Sequence, residues 1–208
     1  MKLSTLKTWA AVWAAGLFGL AGVSAADPSD PNMYVKFDAG ANFIQDTDGS
    51  RSAAPLPTVL FNAEFDPGFR VGLGGGYNFH RYLGVEFESG FLYNEIKDTD
   101  SWLGQVPLLA NLVLRYPNTS PLVPFIGGGA GAVIGILDLD ELDDSDSEAL
   151  FAWQGLAGLS YKVSDTTSVG LAYKYLGTES STYHVAGFRW HLSEVHNHSV
   201  NLVFNWQF

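Results

Sequence analysis

The side chains able to do chemistry fall into few groupings. His196 and His198 lie two apart, on one face of an extended segment, where both imidazoles could bind a metal ion if a third ligand approached. With Glu194 and Ser199 beside them, the same run holds the residue types of an orienting acid, a base and a serine nucleophile. Along a regular strand, however, Ser199 points away from both histidines, so no base reaches its hydroxyl and a lipid-modifying activity is not expected. Leu137 to Ala149 holds seven acids in thirteen residues, Asp138, Asp140, Glu141, Asp143, Asp144, Asp146 and Glu148; Asp140, Asp144 and Asp146 are the candidate cation ligands. A helix-flanked calcium loop needs Gly at its sixth position and Glu at its twelfth. Counted from Asp138 those places hold Asp143 and Ala149, and from Asp144 they hold Ala149 and Gly155. A solvated acidic loop is the expectation. Gly127 to Ala132 spells G-x-G-x-x-A, but no helix follows to cradle a phosphate, and no cofactor is implied.

The chain that must position these groups has 208 residues, 47% apolar and 16% charged, with 23 glycines and no cysteine. Its 11 Lys+Arg stand against 22 Asp+Glu, which argues against a nucleic-acid partner, since phosphate binding needs clustered cations. Without cysteine there is no disulfide, thiolate nucleophile or Cys-based metal site. Lys2 and Lys7 precede an uncharged apolar stretch, Trp9 to Val23, and Val23-Ser24-Ala25 offers small residues for cleavage. This is the pattern of a secretory signal peptide over residues 1–25, too short for a span that needs about 20 apolar residues. Its removal leaves one domain, residues 26–208, with 9 Lys+Arg against 22 Asp+Glu. The protein is expected to be exported.

The remainder repeats with period two, the mark of strands with two unlike faces. At the end of the chain Val200, Leu202, Phe204, Trp206 and Phe208 oppose Ser199, Asn201, Val203, Asn205 and Gln207. Met33 to Phe43, Phe69 to Tyr77, Leu83 to Asn94, Val106 to Tyr116, Phe151 to Val163 and Val169 to Tyr175 share the rhythm. Leu122 to Ile136 is nearly all apolar and glycine, so its faces are ambiguous. Gly127, Gly131 and Gly135 there have the spacing of packed membrane helices, but Pro124 and the glycines favour a strand. That makes eight strands. The connectors Asn78–Tyr82, Pro117–Pro121 and Ser164–Thr167 are short and turn-like. Gln45–Asn62, Glu95–Gln105, Leu137–Ala149 and Gly177–Asn197 read as long polar loops. Short turns at one end and loops at the other describe an up-and-down antiparallel meander that can close on itself and remove its edges.

The faces decide what such a barrel does. The polar face carries mid-strand charges of both signs, Lys36, Asp38, Arg70, Glu86, Glu88, Arg115, Lys162 and Lys174, diluted by glycine. As a solvent-facing surface this is sparse; turned inward, the charges can neutralise one another. The opposite face is apolar throughout, with aromatics at strand ends, as a lipid-facing belt requires. The expected fold is all-β: an eight-stranded antiparallel up-and-down transmembrane β-barrel preceded by a cleavable signal peptide. A soluble, lipocalin-like ligand-binding barrel would reverse the two faces.

These residues resemble the small outer-membrane β-barrels of the OmpA transmembrane-domain, OmpX and opacity-protein type. The resemblance rests on Pro124-Phe125-Ile126-Gly127-Gly128-Gly129-Ala130-Gly131, on Phe151-Ala152-Trp153-Gln154-Gly155, on Gly158-Leu159-Ser160-Tyr161-Lys162, on Leu171-Ala172-Tyr173-Lys174-Tyr175 and on the final strand. It implies a place in the cell outer membrane, among lipid and lipopolysaccharide, whose phosphates divalent cations could bridge weakly to the acidic loop. It further implies that Phe204, Trp206 and Phe208 form the signal read by the barrel-assembly machinery. Gly187-Phe188-Arg189-Trp190-His191 could extend the seventh and eighth strands beyond the membrane. The expected role is non-enzymatic: a structural, adhesion or surface-interaction protein whose acidic loops meet an unidentified extracellular partner. A narrow channel and a lipid-modifying enzyme are the alternatives within the membrane.

Overall fold

The computed structural model describes residues 32–53, 55–140 and 144–208, and the elements named in them are all β-strands. The signal-peptide expectation for residues 1–25, and Glu141 and Asp143 of the acidic run, lie outside the described residues. Eight strands close a barrel: β1 (Asn32–Ile44), β4 (Gly68–His80), β5 (Leu83–Glu95), β6 (Trp102–Arg115), β7 (Leu122–Leu139), β8 (Asp144–Lys162), β9 (Thr167–Thr178) and β12 (His196–Gln207). Each is antiparallel to the next, and β1 closes on β12. Following paired residues once around, from Arg115 through Phe125, Gly158, Ala172, Asn201, Gly40, Arg70 and Leu92, returns to β6 at Gln105, ten residues along the same strand. The strands are therefore tilted, and residues level with one another across the lumen are far from level in the ladder.

Period two becomes inside and outside. Leu202 is 70% exposed while Asn201 beside it is 0% exposed. Val200, Phe204 and Trp206 are likewise exposed, and Ser199 is buried. Phe37, Phe69, Phe87, Leu112, Leu159 and Leu171 repeat the outward pattern on the other strands. Large apolar groups outside and amides inside suit a barrel surrounded by lipid, and the closed ladder pairs the strand backbones with one another instead of with water. Tyr77, Phe79, Tyr116, Tyr161 and Trp206 ring the outer wall at the end with short turns. Phe43, Phe69 and Phe151 stand at the other. Leu122 to Ile136 belongs to β7, with Val123 and Val133 turned inward.

Three of the connectors expected to be loops are largely strand. β2 (Thr47–Ser52), β3 (Val59–Ala63), β10 (Ser181–Val185) and β11 (Phe188–Leu192) make a second sheet in the order β10-β11-β2-β3, and most of Leu137–Ala149 is the continuation of β7 and β8. The described residues form twelve strands, the eight expected in the barrel and four beyond it, because pairing does not stop at the rim. Ile44 pairs with Asn197, and Gly49 with Leu192 in the same register. Between them the Gln45 N–H donates to the His196 carbonyl and the Ser193 N–H to the Asp48 carbonyl, each at 2.9 Å. Gly187-Phe188-Arg189-Trp190-His191 does not lengthen β9 and β12. It turns into β11 of the second sheet, with Ala186 (φ 51°) and Gly187 (φ 77°) as a two-residue turn in which both central residues are left-handed.

Candidate functional site

Alternation turns six charged residues from four strands into the lumen, and the tilt brings them to one place. Lys36 and Asp38 come from β1, Arg70 from β4, Glu86 and Glu88 from β5, and Lys174 from β9; all are buried. Lys36 Nζ donates to Glu86 and, at 2.7 Å, to Glu88. Lys174 Nζ lies 2.9 Å from both Asp38 and Glu88. Arg70 donates to Glu88 and, at 3.1 Å, to Gln154, with its Nε 3.7 Å from Asp38. Gln154 in turn donates to Asn111 at 3.2 Å. Three cations face three carboxylates, so charges that would be costly alone are paired. The lumen is tight there: a Cβ at Gly72 would sit 2.7 Å from the Asp38 carboxylate, and one at Gly76 would meet the Tyr34 ring.

Two residues expected in this network stand apart from it. Arg115 donates to Asn78 and to the Tyr34 hydroxyl, both at 2.6 Å, and reaches no carboxylate directly. Tyr34 passes the bond on to Glu86 at 2.8 Å. Lys162 is exposed at the turn end, on the rim of a cavity of about 440 Å³ that runs up to Lys36 and Lys174. Both residues point inward as their parity requires, but they lie at strand ends below the cluster. Tyr34, Asn111 and Gln154, not singled out from the sequence, share the cluster's parity, which was the signal for them.

Above the cluster the inward faces change from charged to amide and then to apolar side chains. Asn42 donates to Asn94 at 2.6 Å and to Asn197 at 2.9 Å, and Leu92, Leu109, Val133, Ala152 and Leu176 form a buried apolar layer. A larger core follows, in which Ile44, Leu103, Leu137 and Leu139 of the barrel meet Ala63, Tyr183, Val185, Leu192 and Val195. The second sheet thus caps the loop end. Covered by the second sheet, these inward positions are buried, which favours apolar side chains on an inward face. Burial pushes the Tyr183 phenol up to about 12.

The acidic run, expected to be a solvated loop, holds this cap. Asp144 accepts the Ala186 N–H and Asp146 the His184 N–H, each at 2.7 Å, and Glu148 accepts the Thr182 N–H. These pairs keep the register of β8 with β9, where Ala152 faces Thr178. A carboxylate stands where a strand carbonyl would, which spaces β10 away from β8 and seals its edge. Asp140 is exposed just beyond β7. His196 and His198 face outward, bonded through Nδ1 to Tyr175 (2.8 Å) and Tyr173 (2.7 Å). Ser199 is inside, accepting from Asn201 at 3.0 Å. Among the described residues no group of three or more His, Asp or Glu is placed to hold a metal. Phe204 and Trp206 face outward on β12, Phe208 packs edge-on to Trp206, and the Phe208 N–H donates to the Met33 carbonyl at 3.0 Å.

The sequence matches the family described as outer membrane protein beta-barrel domain over residues 13–208. Comparison with curated protein sequences gives no match. Among solved structures, Neisserial surface protein A is similar with a TM-score of 0.57 at 19% identity, over 85% of this chain and 97% of that one. The outer membrane protein OprG of Pseudomonas aeruginosa is similar with a TM-score of 0.62 at 14% identity, over 86% and 97%. Identities this low speak to the fold, which is the barrel described above. Family match, closed ladder and lipid-facing wall agree: the chain belongs to the outer membrane protein β-barrel domain family and resides in the outer membrane.

Proposed function

We propose that this protein is a non-enzymatic surface-interaction protein, working through the cap it holds outside the cell. The supporting observation is the difference between the two edges of the cap sheet. The β10 edge is sealed by Asp144, Asp146 and Glu148. The β3 edge pairs with β2 alone and displays apolar side chains, with Leu60 81% exposed and Val59 and Leu56 also exposed. An open edge of this kind is a template for an extended segment of another chain, which supplies the missing strand bonds while pockets read alternate side chains. Beside it Glu64 is already paired with Lys97 at 2.7 Å, so the edge is read through its strand bonds and apolar side chains, and the partner segment is apolar. The lipid belt would seat the barrel among phospholipid and lipopolysaccharide, and Phe204, Trp206 and Phe208 would serve the barrel-assembly machinery.

Two features weigh against the alternatives. A channel would have to part the ion cluster and the core beneath the cap. A serine hydrolase would need His198 and Ser199 together, and the barrel wall separates them. The test is adhesion of cells displaying the protein with Leu60→Lys and Val59→Lys. Binding to the surfaces that the parent binds should fall at least tenfold while unboiled protein still migrates as a folded barrel. Unchanged binding would remove the β3 edge from the account.

A further inference from the structure

On the opposite side of the membrane the lumen is open. Below the ion cluster lies the cavity of about 440 Å³, within the range of about 300–1,000 Å³ typical of small-molecule sites. Its ceiling is electrically settled, since Lys36, Arg70 and Lys174 are matched by Asp38, Glu86 and Glu88. Its lower walls are not. Arg81, Arg115 and Lys162 line them, with Asp165 as the acid at the same level. Arg115 is held in place entirely by neutral acceptors, the Asn78 amide oxygen and the Tyr34 hydroxyl, and its guanidinium lies over the Tyr34 ring, 4.9 Å from the centroid. A guanidinium fixed this way is set to receive an anion, because its fork is already oriented. Beside these cations the lining is apolar, with Val113 on the strand of Arg115, Val123 and Phe125 on the strand paired with it, Leu156 on β8 and Val203 on β12.

A cationic rim beside an apolar lining has the character of an amphiphile's two parts. We propose that the periplasmic vestibule binds a single-chain amphiphile with an anionic head, carboxylate or phosphate. The head is held by Arg115 with Lys162, and the chain lies along Val113, Leu156 and Val203. The ion cluster is the ceiling against which the chain stops, so the ligand enters and leaves on the periplasmic side. This site is independent of the cap and of whatever the β3 edge binds.

The vestibule is probed with the full barrel in lipid nanodiscs, reading methyl resonances of Val113 and Val203 in the lumen, with Leu202 on the lipid face as internal control. Octyl phosphate and octanoate should each shift the lumen methyls saturably and leave Leu202 unmoved at saturation; the stronger of the two names the head. Octylammonium should do nothing, and inorganic phosphate should bind at least tenfold more weakly. Arg115→Gln should weaken the amphiphile at least tenfold; if that variant does not fold, Lys162→Gln should weaken it threefold or more. Absence of a saturable shift, equal response to octylammonium, or undiminished binding by the variant overturns the site. Equal binding of inorganic phosphate overturns the part assigned to the chain.

Discussion

Glu88 accepts from Lys36 and Arg70 and sits 2.9 Å from Lys174, so three cations of the lumen depend on one carboxylate. Glu88→Gln keeps the shape and removes the charge, leaving three buried cations against Asp38 and Glu86. Breaking a buried pair in this way costs about 3–5 kcal/mol. Urea unfolding of the barrel in lipid vesicles should show a loss of that order, and a loss below about 1 kcal/mol would mean that water screens the cluster. The cluster was largely legible beforehand: alternate positions on β1, β4, β5 and β9 name its members. Parity gives a face but not a height, which is why Arg115 and Lys162 read as members although they lie below it. Height depends on the ten-residue offset around the barrel, and that exists only once the strands are paired.

At the scale of elements, the acidic run and β10 form one joint. Replacing Asp144, Asp146 and Glu148 together by Ala should free the Thr182, His184 and Ala186 amides, since a hydrogen bond to a charged acceptor contributes about 1.5–3 kcal/mol. Hydrogen exchange at those three amides should accelerate at least tenfold, with barrel strands unchanged. Asn and Gln at the same places retain an acceptor oxygen and should restore part of the protection. Exchange unaltered in the Ala variant would show that the apolar core alone holds the cap. This joint could have been found in the sequence, because Asp144-Ser145-Asp146-Ser147-Glu148-Ala149 alternates acid with small residue, at the period of a strand. Seven acids in thirteen residues suggested water instead. The amides that answer them belong to β10, far along the chain, and nothing local announces them. The same holds for the open β3, whose Val59 and Leu60 lie in a stretch that composition alone marks as a loop.

For the whole molecule, the lipid belt is the main consequence of the alternating sequence. Leu202→Arg, at mid-belt on β12, should destabilise the barrel by about 2–4 kcal/mol in vesicle unfolding, the cost of a cation near the bilayer midplane. A variant as stable as the parent would mean that this face does not meet lipid. The barrel itself was readable from parity and from the rhythm of short and long connectors. The cap was not, because its two halves come from opposite ends of the chain: β2 and β3 follow the first barrel strand, and β10 and β11 precede the last. The seam where β1 meets β12 continues without change of register into β2 and β11. The clasp over the rim is thus the upper part of the hoop's own fastening, and neither can be done up without the other. A chain whose first and last staves have not yet met shows a bare rim. A reagent that recognises the joined β2–β11 ribbon would therefore count finished molecules and pass over every unfinished one.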